Sequence, residues 1–358
     1  MADWSQLPKD LLQLISQKLN NHFYILRFRS VCSTWRLSIP KPHNHFPLKL
    51  PHFSRRNKLY NHIIFLIKPP ATPNQQSLYR PWLVRISPTS SGKFNLWHPL
   101  GVHYITQLPS DLRVLDFNQL SVFNIEEIYI RGESYPNSST TRFYHYDRSL
   151  ATFQREQILD IVTSHRNSKE MVMFRCGGNG LTKIPNVSSF YQGMCIFKGR
   201  PCVTYQNGRT VMIGSDLSVD LVAEPVFGDE LNGDIYIMVE NESELLLVHN
   251  YEEDYDSDDD YDEYEPIDVF RLDQKEKKWL KLENLGDTVL FLGQGYSFAI
   301  SASDLGLDNG NFVIYCNYNH NEIRVFPLDQ HRTFLLSDYP DYFKLFWPPP
   351  EWIASRCM

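Results

Sequence analysis

The 358-residue chain has no run of eighteen consecutive apolar residues, so the sequence predicts no membrane-spanning helix and no membrane partner. Its first residues also lack the basic and then apolar pattern of a secretory signal peptide, because "MADW" leads into polar and then amphipathic sequence. We therefore expect the protein in the nucleus, the cytoplasm or both.

Cysteine is scarce and is not arranged in metal-binding pairs. The six cysteines form no CxxC pair and match no zinc spacing; they are Cys32, Cys176, Cys195, Cys202, Cys316 and Cys357. In a reducing compartment we expect free thiols, several of them buried on strands. The sequence predicts neither a metal site nor a cofactor.

Motifs for catalysis are also missing. The chain contains no G-x-S-x-G elbow and no H-E-x-x-H pair. The glycine-rich stretch "CGGNGLTK" at 176–183 lacks the spacing of a phosphate loop, and we interpret it as a turn between strands. We therefore predict no catalytic residue, and the protein is not expected to be an enzyme.

Basic residues form no dense cluster, which argues against a nucleic-acid partner. The formal charge of −7 arises from one stretch, "EEDYDSDDDYDEYE" at 252–265, which contains ten acids and no base. Without those ten acids the formal charge becomes +3. We interpret 252–265 as a solvated acidic loop inserted between two strands.

The composition does support folded cores, since 42% of the residues are apolar and 14% are aromatic. A length of 358 residues exceeds one typical domain and suits one small plus one large domain. We predict a helical domain at 1–40, a proline-containing linker at 41–60 and a β domain at 61–353.

The N-terminal stretch at 5–36 has the most apolar helical pattern in the chain. A first helix is predicted over 8–20, with Pro8 at its first position and an apolar stripe about 100° wide. That stripe contains Leu11, Leu12, Ile15 and Leu19, and Leu14 lies to one side. A second helix is predicted over 24–29, and Ser30 is expected to cap a third.

Three helices in so few residues cannot bury leucines on several faces, because lone domains below about 40 residues usually need a partner. Burial of five or six such side chains is worth roughly 8–18 kcal/mol, which favours a partner protein. The alternative is an ordinary helical cap on the following domain.

The order of residues in this stretch resembles an F-box, with Leu7-Pro8 at its start and "LRFRSVCSTWR" at 26–36 at its end. The resemblance implies docking on the Skp-type adaptor of a cullin-based ubiquitin ligase, and through it on cullin and RING subunits. The adaptor-binding residues it implies are Leu7, Pro8, Leu11, Leu12, Ile15, Leu26, Val31 and Trp35.

The remainder of the chain shows β patterns. The stretch "IIFLI" at 63–67 is typical of a buried strand, and hairpins are predicted at 202–213, 269–282 and 322–336. Some 280 residues at roughly 40–45 per blade predict a six- or seven-bladed β-propeller, with a stacked β-sandwich pair as the alternative. The whole chain resembles plant F-box proteins with a KIB-type β-propeller. The stretches that carry this resemblance in the β domain are "KWLKLENLGDTVLFLGQGYSFAIS" at 278–301 and "KLFWPPPEWI" at 344–353.

This resemblance implies the substrate-recognition subunit of an SCF-type (Skp–cullin–F-box) ubiquitin ligase, which binds an unknown target protein through the propeller. Two alternatives stay open. One is a propeller-fold enzyme acting on carbohydrate, which would need paired carboxylates in the central funnel. The other is an F-box scaffold outside any ligase.

The acidic loop generates the first prediction: deletion of 252–265 leaves the thermal unfolding midpoint unchanged, because a solvated insertion contributes no core. Circular dichroism melting of the deleted and full chains measures this. The deleted and full chains also test whether the loop docks a basic target, since unchanged target binding after deletion would exclude that role.

Ser257, followed by three aspartates, is predicted as a site for an acid-directed kinase.

Overall fold

A computed structural model describes most of the chain. The described residues are 4–19, 22–39, 48–49, 57–68, 80–88, 94–101, 121–134, 141–143, 150–155, 158–164, 170–175, 180–187, 191–226, 235–250, 267–293, 295–317, 322–346 and 350. Within these ranges, no helix is both long enough and apolar enough to cross a membrane.

Helices form the N-terminal part of the chain. They are a 3₁₀ turn (Trp4–Gln6), α1 (Lys9–Gln17), α2 (His22–Ser30) and α3 (Ser33–Ser38). Pro8 directly precedes α1 and is not its first residue. The predicted cap at Ser30 is wrong, because Ser30 ends α2 and its hydroxyl donates a hydrogen bond to the Arg27 carbonyl (2.7 Å). Cys32, in an extended conformation, precedes α3 instead.

Five sheets follow, and each is one blade. Blade 1 contains β1 (Leu48–Lys49), β2 (Asn57–Lys68), β3 (Trp82–Pro88), β4 (Phe94–Trp97), β5 (Ser121–Ser134) and β6 (Thr141–Phe143). Blade 2 contains β7 (Leu150–Arg155), β8 (Ile158–Ser164), β9 (Met171–Arg175) and β10 (Leu181–Lys183). Strand β1 and the beginning of β2 fall within the range predicted as a linker, 41–60.

The next two blades are four-stranded antiparallel meanders. Blade 3 contains β11 (Tyr191–Phe197), β12 (Arg200–Tyr205), β13 (Thr210–Ile213) and β14 (Val219–Ala223). Blade 4 contains β15 (Ile235–Asn241), β16 (Glu244–Asn250), β17 (Ile267–Asp273) and β18 (Lys278–Leu282). Both follow the chain order from the innermost strand outward.

Blade 5 departs from this meander. It contains β19 (Thr288–Leu292), β20 (Ser297–Ser301), β21 (Phe312–Asn317), β22 (Glu322–Pro327) and β23 (Phe334–Leu335). Strands β19 and β21 pair in parallel, because the hairpin of β19 and β20 is followed by the short helix α4 (Ala302–Leu305), which returns the chain to the other side of β19.

The innermost strands close a ring. Strand β5 contacts β7, β7 contacts β11, β11 contacts β15, β15 contacts β20, and β20 contacts β5. The chain therefore contains a β-propeller, and the described residues form five blades. The predicted six or seven blades are wrong, because blade 1 alone extends from Leu48 to Phe143 and includes strands of 12 and 14 residues.

The three predicted hairpins are confirmed by the pairing of β12 with β13, β17 with β18 and β22 with β23. In the first, Gly208 adopts φ +80°, a conformation that costs glycine little. An added Cβ there would lie 2.9 Å from a methyl carbon of Val226. The stretch 176–183 is not only a turn, because its last three residues form β10, which pairs with β9 in antiparallel fashion, and residues 176–179 lie outside the described residues.

The C-terminal segment fastens blade 1 to blade 5. After a 3₁₀ turn (Leu336–Asp338) and α5 (Pro340–Phe343), the carbonyl of Leu345 accepts a hydrogen bond from the amide of Leu83 (2.8 Å). The carbonyl of Phe346 accepts one from the indole nitrogen of Trp82 (3.0 Å). Leu345 and Phe346 are buried in one apolar cluster with residues of blades 1 and 5.

A buried cation joins the same two blades. Arg85 on β3 is 2% exposed, and its guanidinium donates to the hydroxyl of Tyr296 (2.7 Å) and to the carbonyl of Gly101 (2.6 Å). The Tyr296 hydroxyl in turn donates to the Pro99 carbonyl. The guanidinium carbon also lies 5.3 Å from the ring centroid of Trp97, within cation–π range.

The Tyr296→Phe variant should lower the free energy of unfolding by about 1–3 kcal/mol, because it removes an acceptor from a buried guanidinium and a donor from a carbonyl. Urea denaturation of wild type and variant measures the difference. Leu280→Ala, a truncation on the solvent-facing side of β18, is the control and should change stability by less than about 0.5 kcal/mol. An unchanged urea midpoint in Tyr296→Phe would show that the contact does not help to close the ring.

Candidate functional site

The helical domain has a small core of its own. Leu12, Phe28 and Ile39 are its buried members, and partly buried Leu7, Leu19, Ile25 and Trp35 pack around them. The rings of Phe28 and Trp35 lie 4.4 Å apart between centroids. The indole nitrogen of Trp35 donates to the Trp4 carbonyl (3.0 Å), which fastens the first turn of the chain to α3.

Arginine side chains donate hydrogen bonds to backbone carbonyls near the ends of α2 and α3. The Arg29 guanidinium donates to the carbonyls of Arg36 (2.9 Å) and Ile39, near the C-terminal end of α3. Arg36 donates from its Nε to the Arg29 carbonyl (3.3 Å). A helix end leaves carbonyl groups without intrahelical partners, and these contacts hold α2 and α3 together.

Helix α1 has two apolar faces. Leu12, together with Leu19 just after the helix, packs in the core, whereas Leu11, Leu14 and Ile15 are 47%, 57% and 40% exposed. At 100° per residue, the three exposed side chains lie within about 100° of one another on the helix surface. We call them the α1 apolar face. Elsewhere in the helical domain Trp4, Val31 and Leu37 are also exposed.

The residues predicted to bind an adaptor divide between core and surface. Pro8, Leu11, Ile15 and Val31 are exposed, Leu7 and Trp35 are half-buried, and Leu12 is fully buried. The side chain of Leu26 lies outside the described residues. Leu12 therefore stabilises the helical domain from within. Direct adaptor contact by any of these side chains stays a prediction.

Sequence reasoning placed Leu11, Leu12, Ile15 and Leu19 on one stripe and set Leu14 aside. The structure divides that stripe, because the core lies on the side of Leu12 and Leu19. Leu14 then belongs with Leu11 and Ile15. The signal was present in the i, i+3, i+4 spacing of these three residues, but the sequence alone did not say which of two apolar faces is covered.

The helical domain is hydrogen-bonded to the propeller. The hydroxyl of Tyr24 on α2 donates to the carbonyl of Val122 at the beginning of β5 (2.9 Å). Over most of its length β5 is the innermost strand of blade 1, because β6 pairs only with its last three residues, 132–134. The acidic stretch 252–265, with Ser257, lies outside the described residues.

Carboxyl groups on innermost strands form a second cluster. Burial raises the pKa of Glu126 on β5 to about 8, and the charges of Glu240 on β15 and of Glu127 add to this shift. Glu127 is held by hydrogen bonds from the amide of Asn61 (2.6 Å) and the hydroxyl of Tyr129 (2.7 Å). At neutral pH the Glu126 carboxyl therefore keeps its proton.

This raised pKa generates a pH prediction. The Glu126 carboxyl ionises near its ordinary pKa of 4.5 in the unfolded chain and only near 8 in the folded chain. Stability from this group is thus present at low pH and is lost as the pH rises through that window. Glu126→Gln should therefore raise the melting temperature relative to wild type, and by more at about pH 8.5 than at about pH 5.5.

Differential scanning calorimetry at the two pH values measures this change. Glu276→Gln, on the exposed turn after β17, is the matched control and should leave both melting temperatures unchanged. A stabilisation by Glu126→Gln that is the same at both pH values would contradict the assignment of a raised pKa.

Comparison with known proteins adds two family matches. Residues 58–327 match the KIB1-4 β-propeller family and residues 4–47 match the F-box domain. The chain is 30% identical to F-box protein SKIP23 of Arabidopsis thaliana over 99% of its length and 97% of that protein. It is 29% identical to the F-box protein At2g17036 of Arabidopsis thaliana, over 99% of this chain and 96% of that one.

A third relative, the putative F-box protein At5g60060 of Arabidopsis thaliana, is 25% identical over 96% of this chain and 97% of its own. Among solved structures, TolB from Acinetobacter baumannii overlaps with a TM-score of 0.32 at 10% identity, covering 76% of this chain and 62% of TolB. That score is too low to establish a shared fold.

Proposed function

The chain belongs to the plant F-box proteins with a KIB1-4 β-propeller, and from this membership we propose that it is the substrate-recognition subunit of an SCF-type ubiquitin ligase. In this role the helical domain binds a Skp-type adaptor, which connects it to cullin and RING subunits. The propeller holds the target protein. The protein itself has no catalytic step.

The observation that supports this proposal most directly is the α1 apolar face. Leu11, Leu14 and Ile15 remain about half exposed in the folded chain, although the domain has a core beside them. Exposed apolar side chains grouped on one helix face are typical of surfaces that bind another protein. The face also lies inside residues 4–47, the range of the F-box match.

The free energy that a partner could gain by burying these exposed side chains is smaller than the roughly 8–18 kcal/mol expected from the sequence. The six exposed apolar side chains of the helical domain are between 40% and 82% exposed. They correspond to roughly three to four fully exposed side chains, worth about 5–10 kcal/mol on burial. Since association costs an estimated ~4–15 kcal/mol, polar contacts must contribute to a stable complex with the adaptor.

The receptor would act through proximity. A target held by the propeller and a ubiquitin-charged enzyme held by the cullin and RING subunits share one complex, so their effective concentration rises without new chemistry. Under this proposal the protein works in the nucleus, the cytoplasm or both. The acidic stretch 252–265 would add a docking site for a basic target, regulated at Ser257.

An adaptor-binding assay tests the proposal. Leu11→Ala and Leu14→Ala should each weaken binding of a purified Skp-type adaptor about 5- to 150-fold, because truncation of a buried anchor at an interface typically costs about 1–3 kcal/mol. Isothermal titration calorimetry measures the affinities. Leu280→Ala is the matched control, since Leu280 lies on blade 4 and is 43% exposed, close to the 47% of Leu11.

Leu12→Ala separates folding from binding, because Leu12 lies in the core. It should lower the thermal stability of the helical domain together with adaptor binding, whereas Leu14→Ala should lower binding alone. Equal affinity of wild type and Leu14→Ala for the adaptor would exclude the α1 apolar face as the docking surface.

Two alternatives are distinguishable by experiment. An F-box scaffold outside a ligase would co-purify with adaptor and without cullin. A carbohydrate-acting enzyme has one specific observation in its favour, the protonated Glu126 beside Glu240, since glycoside hydrolysis pairs a carboxylic acid with a carboxylate. Glycoside turnover that is lost in Glu126→Gln would establish it.

A further inference from the structure

Four sulfur-containing residues meet at the boundary of blades 3 and 4. Cys195 on β11 lies directly opposite Cys202 on β12, and Cys202 lies directly opposite Met212 on β13. Directly opposed residues of neighbouring strands point to the same face of a sheet. From blade 4, Met238 on β15 faces this row, and its Sδ lies 3.9 Å from the Sγ of Cys195.

Both cysteines are free thiols in an apolar environment. Cys202 is fully buried and Cys195 is half-buried, packed with aromatic residues of blades 3 and 4 that include Phe197, Tyr236 and Trp279. A hydrogen bond with Cys202, followed by burial, raises the pKa of the Cys195 thiol well above its usual value. The two thiols are therefore adjacent, and the raised pKa keeps the Cys195 thiol protonated in the free chain.

We propose that Cys195, Cys202 and Met238 form a binding site for a soft monovalent metal ion, Cu(I), with Met212 available as a further ligand. Thiolate and thioether sulfur are soft ligands, and this combination selects Cu(I) over harder divalent ions. The inference does not rest on the proposed function in ubiquitination.

The geometry fits a single ion. With metal–sulfur bonds of about 2.3 Å, two sulfur ligands of a trigonal metal lie about 4 Å apart. The separation of 3.9 Å between Cys195 Sγ and Met238 Sδ already matches this spacing. Because the ligands come from β11, β12 and β15, a bound ion would cross-link two blades.

Metal binding at this site is an exchange of protons for the metal ion. On binding, each thiol releases its proton to solvent and each sulfur donates an electron pair to Cu(I), with no electron transferred between them.

The test uses the reduced full chain under anaerobic conditions, titrated with Cu(I) against the chromophoric chelator bicinchoninate. Wild type should bind one equivalent. Cys195→Ser and Cys202→Ser should each weaken this binding at least tenfold, and Met238→Leu should weaken it measurably while conserving side-chain volume. Cys316→Ser, at a buried cysteine on β21 in blade 5, is the matched control and should bind like wild type.

Failure to bind Cu(I), or equal binding by wild type and both serine variants, would overturn the proposal. The four sulfur-containing side chains would then serve only to pack the core. Circular dichroism establishes whether each variant is folded. If neither serine variant folds, Met238→Leu decides alone, and an unchanged affinity then overturns the site. X-ray absorption of the bound ion should show three sulfur neighbours, and a nitrogen or oxygen shell would contradict the assignment.

Discussion

The size of the helical domain is the constraint on which its function depends. Three short helices leave room for one small core, formed by Leu12, Phe28 and Ile39. Helix α1 nevertheless has apolar side chains on two faces, so one of them remains in contact with water. Keeping this face apolar has an unfavourable hydration free energy in the isolated chain, and a partner protein that covers it removes that penalty.

The propeller supplies a stable body to which this surface is attached. Within the described residues, no sheet combines strands from the two ends of the chain. The C-terminal segment instead packs on blades 1 and 5 through Leu345 and Phe346. The Arg85 and Tyr296 contact joins the same blades from within. The hydrogen bond from Tyr24 to Val122 then places α2 against the innermost strand of blade 1.

Local structure was predictable where one interaction dominates. The hairpin predicted at 202–213 is confirmed by the pairing of β12 with β13, and Gly208 in its turn adopts a positive φ. Blade number was not predictable, because division by an average repeat ignores the long strands β2 and β5. The buried side of α1 could not be predicted, because the positions of α2 and α3 decide it. The cluster of Cys195, Cys202 and Met238 could not be predicted either, because it forms between strands of two different blades.

The central claim is that the α1 apolar face is open in the free chain and covered in the complex. The most direct measurement is the rate at which a maleimide alkylates Leu14→Cys, followed by mass spectrometry of the peptide that contains residue 14. We expect rapid alkylation of the free protein and strong protection after addition of a Skp-type adaptor. Slow alkylation without adaptor, or a rate that the adaptor does not change, would contradict the account.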